Sequence, residues 1–232
     1  MCGSAQKLNL NYSDFDAVLL DFDGTIVPSE KAFLYCWQEV FKDNYNCIFS
    51  EDEYIQYELK KDTELINYLI ANKRLTSKID PKLLMENVYD SYSYKFQNML
   101  EDNDFRKQLA HISQWATGGI KLGIVSTSKR KYIDMFFDKY IDYKNIFSCI
   151  LCREDVDRLK PDPMVYLLAA DQLGTIPPRC LVIEDAIKGI RGALSAQMKV
   201  IRVLENAFDV NAYILKHEIM TAQSILDIVF RF

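Results

Sequence analysis

The segment Ala17-Val18-Leu19-Leu20-Asp21-Phe22-Asp23-Gly24-Thr25 joins an apolar run of strand length to two carboxylates two positions apart. Side chains two apart on an extended chain project to the same side, so Asp21 and Asp23 can act on one ligand or share one metal ion. Further apolar runs of strand length occupy residues 120–126, 147–151, 180–183 and 200–204, with helical patterns between them. Strands alternating with helices predict a doubly wound, parallel, Rossmann-like α/β sheet covered on both faces, with ligands at the carboxyl ends of the strands.

The interval between the first two strands is long, and no glycine stands between Thr25 and Thr117. An average composition of about 7% glycine would supply several. Residues 51–73 and 82–100 are rich in Leu, Glu, Lys and Tyr and are broken mainly by Thr76-Ser77 and Asp80-Pro81, as linked helices would be. Residues 28–104 therefore read as a helical insertion, and residues 1–27 with 105–232 as the α/β core. Tyr54, Tyr57, Tyr68, Tyr89, Tyr92 and Tyr94 make the insertion aromatic; the expectation is core packing rather than stacking on a sugar ring.

Three later segments bear on the same strand ends. Ile124-Val125-Ser126-Thr127-Ser128 closes the second strand with hydroxyls and leads into a helix, where hydroxyls and free backbone N–H groups suit an oxyanion. Lys160-Pro161 precedes a helical run, where a fixed cation can neutralise a phosphoryl group. Val182-Ile183-Glu184-Asp185 again places acids after a strand and offers the hard oxygen ligands that magnesium prefers. Taken singly these are also two helix caps and a surface lysine, and Asp23-Gly24 is also a turn after a capping Asp21.

In this order and spacing the four segments resemble the motifs of the haloacid dehalogenase superfamily, over residues 15–204. Leu181-Val182-Ile183-Glu184-Asp185-Ala186-Ile187-Lys188-Gly189-Ile190 and Lys160-Pro161-Asp162-Pro163-Met164-Val165-Tyr166 are similar to the branch containing β-phosphoglucomutase, phosphoglycolate phosphatase and small sugar phosphatases. That branch carries a helical cap after the first motif, where the glycine-free interval lies. The resemblance implies Asp21 as nucleophile forming an aspartyl-phosphate and Asp23 as general acid and base. It implies Ser126, the Thr127 amide and Lys160 as the phosphate clamp. Magnesium would be held by Asp21, the backbone carbonyl of Asp23 and Asp185, with Glu184 supporting it through water. Asp23 favours phosphate-ester chemistry over carbon–halogen or phosphonate cleavage.

Departures from the branch narrow the reading. Phe33 stands where β-phosphoglucomutase has a histidine used in phosphotransfer, and Pro28 replaces an acid. Residues 58–63 are the nearest segment to the cap's specificity loop. Leu159 and Gln197 replace glycines, so Gln197 is expected either at positive φ or at a differently built helix end.

Composition sets the outer bounds. With 49% hydrophobic and 26% charged residues the chain has material for a large core, and no apolar run approaches a bilayer span. A net charge of -5 gives no cationic field for a nucleic-acid backbone. The scattered cysteines and the absence of a hydrophobic leader lead us to expect a cytoplasmic protein; Cys149-x-x-Cys152 reads as thiols along a strand and its end rather than a zinc site. His111 and His217 read as structural or exposed. The expected function is a magnesium-dependent phosphomonoesterase acting on a small phosphorylated metabolite, as a monomer or weak homodimer. A sugar-phosphate mutase and a non-catalytic phosphate-ligand binding or regulatory protein are the alternatives.

Overall fold

The computed structural model describes residues 7–58, 62–76, 78–205 and 219–231. Its elements in chain order are β1 (Leu8–Asn11), β2 (Ala17–Leu20), α1 (Glu30–Tyr45), α2 (Glu51–Glu58), α3 (Asp62–Ala71), α4 (Pro81–Asp102), α5 (Arg106–Thr117), β3 (Lys121–Val125), α6 (Arg130–Lys139), α7 (Ile141–Lys144), β4 (Phe147–Leu151), α8 (Met164–Gln172), β5 (Cys180–Glu184), α9 (Ile187–Ser195), β6 (Lys199–Val203), β7 (Met220–Ala222) and β8 (Ile228–Arg231). Two compact units emerge, Met1–Pro28 with Asn103–Phe232, and Ser29–Asp102. His217 and Cys2 lie outside the described residues.

In the first unit β2 to β7 form a parallel sheet of six strands in the order β4-β3-β2-β5-β6-β7. Every residue of β2 and β5 is buried, as central strands covered on both faces must be, which is why both read as continuous apolar runs. On one face α8 and α9 supply Val165, Tyr166, Ala169, Ile187, Ile190 and Ala193 to a core with Leu19, Val182 and Val200. Each expected strand is present within one or two residues of its expected bounds. Three strands were not anticipated: β7 at the sheet edge, and a separate parallel pair, β1 with β8, in the register Leu8↔Ile228 to Asn11↔Arg231. The Phe230 ring of β8 packs on Tyr12, Phe15 and Trp115.

The second unit, α1 to α4, is the inserted helical cap. Helix α4 buries Leu84, Val88, Tyr92, Phe96 and Leu100, one stripe at helical spacing. Phe33 on α1 lies with its ring centroid 5.0 Å from Tyr92, 5.7 Å from Tyr89 and 6.5 Å from Trp37, and Trp37 stacks on Phe41 and meets Tyr54 edge-on. Packing thus accounts for Tyr54, Tyr89 and Tyr92, whereas Tyr94 is 69% exposed. Of residues 58–63, Leu59, Lys60 and Lys61 lie outside the described residues.

Candidate active site

The strand order reverses at β2, whose neighbours are β3 on one side and β5 on the other. Successive crossovers therefore leave in opposite directions from the carboxyl ends of β2 and β5, and a crevice opens there. Asp21 follows β2, Ser126 follows β3, Glu184 ends β5 and Asp185 follows it. Two backbone bonds carry the ladder one residue past the strands: Asp21 N–H donates to Ile183 O at 2.9 Å, and Ser126 N–H to Leu151 O at 2.9 Å. Local sequence made the strands; strand order made them neighbours.

Lys160 joins three strand ends. Its ammonium donates to Asp21 Oδ1 at 2.5 Å, Val125 O at 3.0 Å and Glu184 Oε1 at 2.8 Å, so all three of its protons are used. Burial alone would lower the Lys160 pKa, but the charges of Asp21 and Glu184 outweigh it and hold it well above the usual value. Asp21 is pushed well above the carboxylate range, first by burial and then by Glu184, with Lys160 pulling the other way. The Tyr166 hydroxyl donates to Glu184 Oε1 at 3.4 Å, and the ammonium lies 5.3 Å from the Tyr166 ring centroid.

Glu184 Oε2 accepts the N–H groups of Asp185 (2.8 Å) and Ala186 (2.9 Å), holding the turn into α9. Thr25 Oγ1 donates to Asp185 Oδ1 at 3.3 Å, and buried Arg202 on β6 donates from Nε to Asp185 O at 2.9 Å. A Cβ at Gly24 would overlap the Asp185 carboxylate, and Gly24 has φ +76. A Cβ at Gly189 would overlap the Glu184 carboxylate. Both glycines permit close approach of backbone to a carboxylate. Asp21, Glu184 and Asp185 each bring a carboxylate oxygen within 4.8 Å of the others, all buried. Lys160 forms ion pairs with Asp21 and Glu184, and buried Arg202 bonds the Asp185 carbonyl. This donor set of hard oxygens, short of positive charge, fits a divalent cation.

Asp23 is half-buried and stands outside that cluster; its Oδ2 accepts a hydrogen bond from the Ser128 hydroxyl. Its part in metal binding was expected through the backbone carbonyl alone. Ser126 is buried, and its hydroxyl oxygen accepts the Ser128 N–H at 2.9 Å. Thr127 and Ser128 are half-buried. The helix expected directly after the hydroxyls begins later, at Arg130, with Lys129 as N-cap, because Ser126 builds a local turn first. Asp21 caps no helix either: Val27 N–H and Ile26 N–H both bond Phe22 O, and α1 starts at Glu30.

Asp21, Lys160, Glu184 and Asp185 thus meet in one cluster, with Asp23 held by Ser128 beside the β3 end. Sequence reasoning assigned no role to Thr25, Ser128, Tyr166 or Arg202; a lone arginine inside the apolar run 200–204 was the one visible anomaly. Cys149 and Cys152 are buried free thiols, pushed by burial to about 11 and about 12. Cys149 Sγ donates to Gln172 Oε1 at 3.1 Å. His111 Nε2 is 2.8 Å from Ile228 O and ties α5 to β8. No helix among the described residues is long and apolar enough to cross a membrane.

The chain is 28% identical to YhcW of Bacillus subtilis over 191 residues, covering 81% of this chain and 82% of that protein. It is 24% identical to the phosphorylated carbohydrates phosphatase of Thermotoga maritima, covering 78% and 81%. The crystal structure of a HAD hydrolase, family IA, variant 3, from Entamoeba histolytica superposes with a TM-score of 0.73 at 24% identity, over 93% of this chain and 96% of that one. The sequence pattern of the haloacid dehalogenase-like hydrolases matches residues 18–203, which carry every residue of the cluster above. With that span matched and the helical cap in place after the first motif, the chain belongs to the haloacid dehalogenase-like hydrolases.

Proposed function

We propose that this phosphoric monoester hydrolase is a magnesium-dependent phosphatase of small sugar phosphates that works through an aspartyl-phosphate on Asp21, as a cytoplasmic monomer or weak homodimer. The observation that carries the reading is the Lys160 ammonium bonded to Asp21 in a buried cluster with Glu184 and Asp185 at the point where the strand order reverses. Magnesium, held by Asp21, Asp185 and the Asp23 carbonyl with Glu184 behind, supplies charge neutralisation between an anionic nucleophile and an anionic ester. An Asp21 carboxylate oxygen bonds phosphorus as the ester P–O bond breaks, and Asp23 gives its proton to the departing oxygen. Asp23 then takes a proton from water as that water attacks phosphorus, releasing inorganic phosphate and Asp21. Ser126 and the Thr127 N–H hold phosphoryl oxygens. Lys160 follows the charge: once Asp21 is esterified its charge sits on the phosphoryl group, where the ammonium can share its bond.

The sugar class rests on the named activity of the Thermotoga maritima relative. Phe33, in place of the mutase histidine, packs among Trp37, Tyr89 and Tyr92 and offers no group for phosphotransfer. The test is a panel of phosphomonoesters with magnesium, including a hexose 1-phosphate scored for isomer as well as for free phosphate. Free phosphate without isomer is expected. Isomer would establish the mutase, and no turnover on any ester with metal binding demonstrated would establish a binding protein.

A further inference from the structure

We propose that Ser128 is a positioning residue for Asp23, fixing the carboxylate that exchanges protons with the leaving group and with water. The inference rests on the phosphatase reading above. Ser128 is itself held on two sides: its N–H donates to Ser126 Oγ at 2.9 Å, and its carbonyl accepts the Arg153 N–H at 3.0 Å. Ser126 is buried, and Arg153 begins the turn after β4, so the ends of β3 and β4 together set where the Ser128 hydroxyl stands. That hydroxyl donates to Asp23 Oδ2 across 105 residues of sequence. The bond serves no helix cap, because α6 is entered through Lys129 with no side-chain cap bond. It joins the loop after β2 to the loop after β3.

An aspartate on a turn has several staggered rotamers within reach. Gly24, beside Asp23, bonds its N–H to Val27 O at 2.7 Å, which holds the backbone of this turn. A hydroxyl donor at Oδ2 selects one arrangement of the carboxylate. General acid catalysis needs the carboxylate within about 2.6–3.2 Å of the atom it protonates. A misplacement of ~1 Å costs on the order of a hundredfold in rate.

The experiment compares kcat/KM for an alkyl and an aryl phosphate in the parent, Ser128→Ala, Ser128→Cys and Ser128→Thr, with magnesium present and with folding checked by circular dichroism. The quantity kcat/KM reports the step in which the leaving group departs, and an alkoxide needs a proton that a stabilised phenolate does not. In Ser128→Ala and Ser128→Cys, kcat/KM for the alkyl ester is expected to fall about 30-fold or more and that for the aryl ester to stay within about threefold. Ser128→Thr, which keeps the hydroxyl, should retain the parent's alkyl value within about threefold. Equal loss on both esters, or loss on neither, overturns the positioning role. A parent that hydrolyses neither ester, with metal binding demonstrated, overturns the phosphatase reading, and this inference falls with it.

Discussion

Gln197 occupies at the end of α9 the backbone position that Gly174 occupies at the end of α8, with φ 62 against φ 59. The hydrogen bonds match: Gln197 N–H to Leu194 O and Met198 N–H to Ala193 O, each 3.0 Å, against Gly174 N–H to Asp171 O at 2.9 Å and Thr175 N–H to Ala170 O at 3.0 Å. Both are helix ends closed by a left-handed residue that caps the last free carbonyls. A Cβ in that conformation costs on the order of 1 kcal/mol. Gln197→Gly is therefore expected to be neutral or to stabilise by several tenths of a kcal/mol, because relief of strain competes with the larger entropy of glycine in the unfolded chain. Urea denaturation midpoints at constant m-value measure this. A glycine variant less stable by 1 kcal/mol or more, on the order of the strain itself, would show that the Gln197 side chain contributes contacts of its own.

Asp21→Asn should lose at least a thousandfold in turnover, about 4 kcal/mol in barrier, because the amide cannot form the ester bond to phosphorus. The fold should persist, since the substitution removes a charge that burial and Glu184 disfavour. Phosphate release and circular dichroism on the same sample decide the matter; a folded variant within tenfold of the parent would sink the covalent mechanism.

Gly189→Ala probes the support of the cluster without changing a proposed catalytic group. The added methyl overlaps the Glu184 carboxylate, which anchors Lys160 and the turn of Asp185. Metal affinity, read by titration calorimetry with magnesium or manganese, is expected to weaken about tenfold or more. Unchanged affinity would mean that Glu184 moves aside at no cost to the site.

Magnesium should stabilise the protein against heat. A ligand that binds the native state contributes RT ln(1 + [L]/Kd), about 2.7 kcal/mol at a hundredfold excess over Kd. For a chain of this size such a gain raises Tm by about 5–10 °C, and a chelator should reverse it. A Tm indifferent to the divalent cation would contradict metal binding at Asp21, Glu184 and Asp185.

The buried thiols make stability depend on pH in the alkaline range. Cys149 and Cys180 are raised to about 11 and Cys152 to about 12, in each case first by burial, against an ordinary thiol value of 9.0. Between these limits the unfolded chain has released protons that the folded chain retains. The three thiols thus leave stability undiminished below pH ~9 and lower it as pH rises towards 11 and beyond. Denaturation midpoints across pH 8–10.5 should fall less steeply when Cys149 and Cys152 are replaced by alanine, and alkylation of the native protein at pH ~8 should be slow. Rapid labelling of Cys152 would show a site more open than its complete burial implies.

The strands β2 to β6, the helical insertion and the position of the acids Asp21, Asp23, Glu184 and Asp185 at strand ends were legible in the chain because each rests on a local pattern. A parallel strand buried on both faces needs a continuous apolar run, and an acid immediately after it is delivered to the carboxyl edge wherever that strand goes. The departure at Gln197 was legible for the same reason, since a helix turning back into a strand needs a left-handed residue whatever surrounds it. Leu159 shows the limit of that argument: among the described non-glycine residues, left-handed backbone occurs at Asn46, Lys73 and Gln197, so the loop before Lys160 is built without it. What no window of sequence contains is the choice of neighbours. Strand order places β2 between β3 and β5, and through it Lys160 reaches Asp21 from 139 residues away and Thr25 reaches Asp185 from 160. The pair of β1 with β8 is hidden for the same cause, because β1 alternates leucine with asparagine and buries Leu10 alone, too little to declare itself without its partner. Arg202 in an apolar strand makes sense only when β6 lies beside β5 and the Asp185 carbonyl is there to accept its hydrogen bond. Periodicity records whether a residue is buried, whereas the partner it is buried against follows from the packing of the whole sheet.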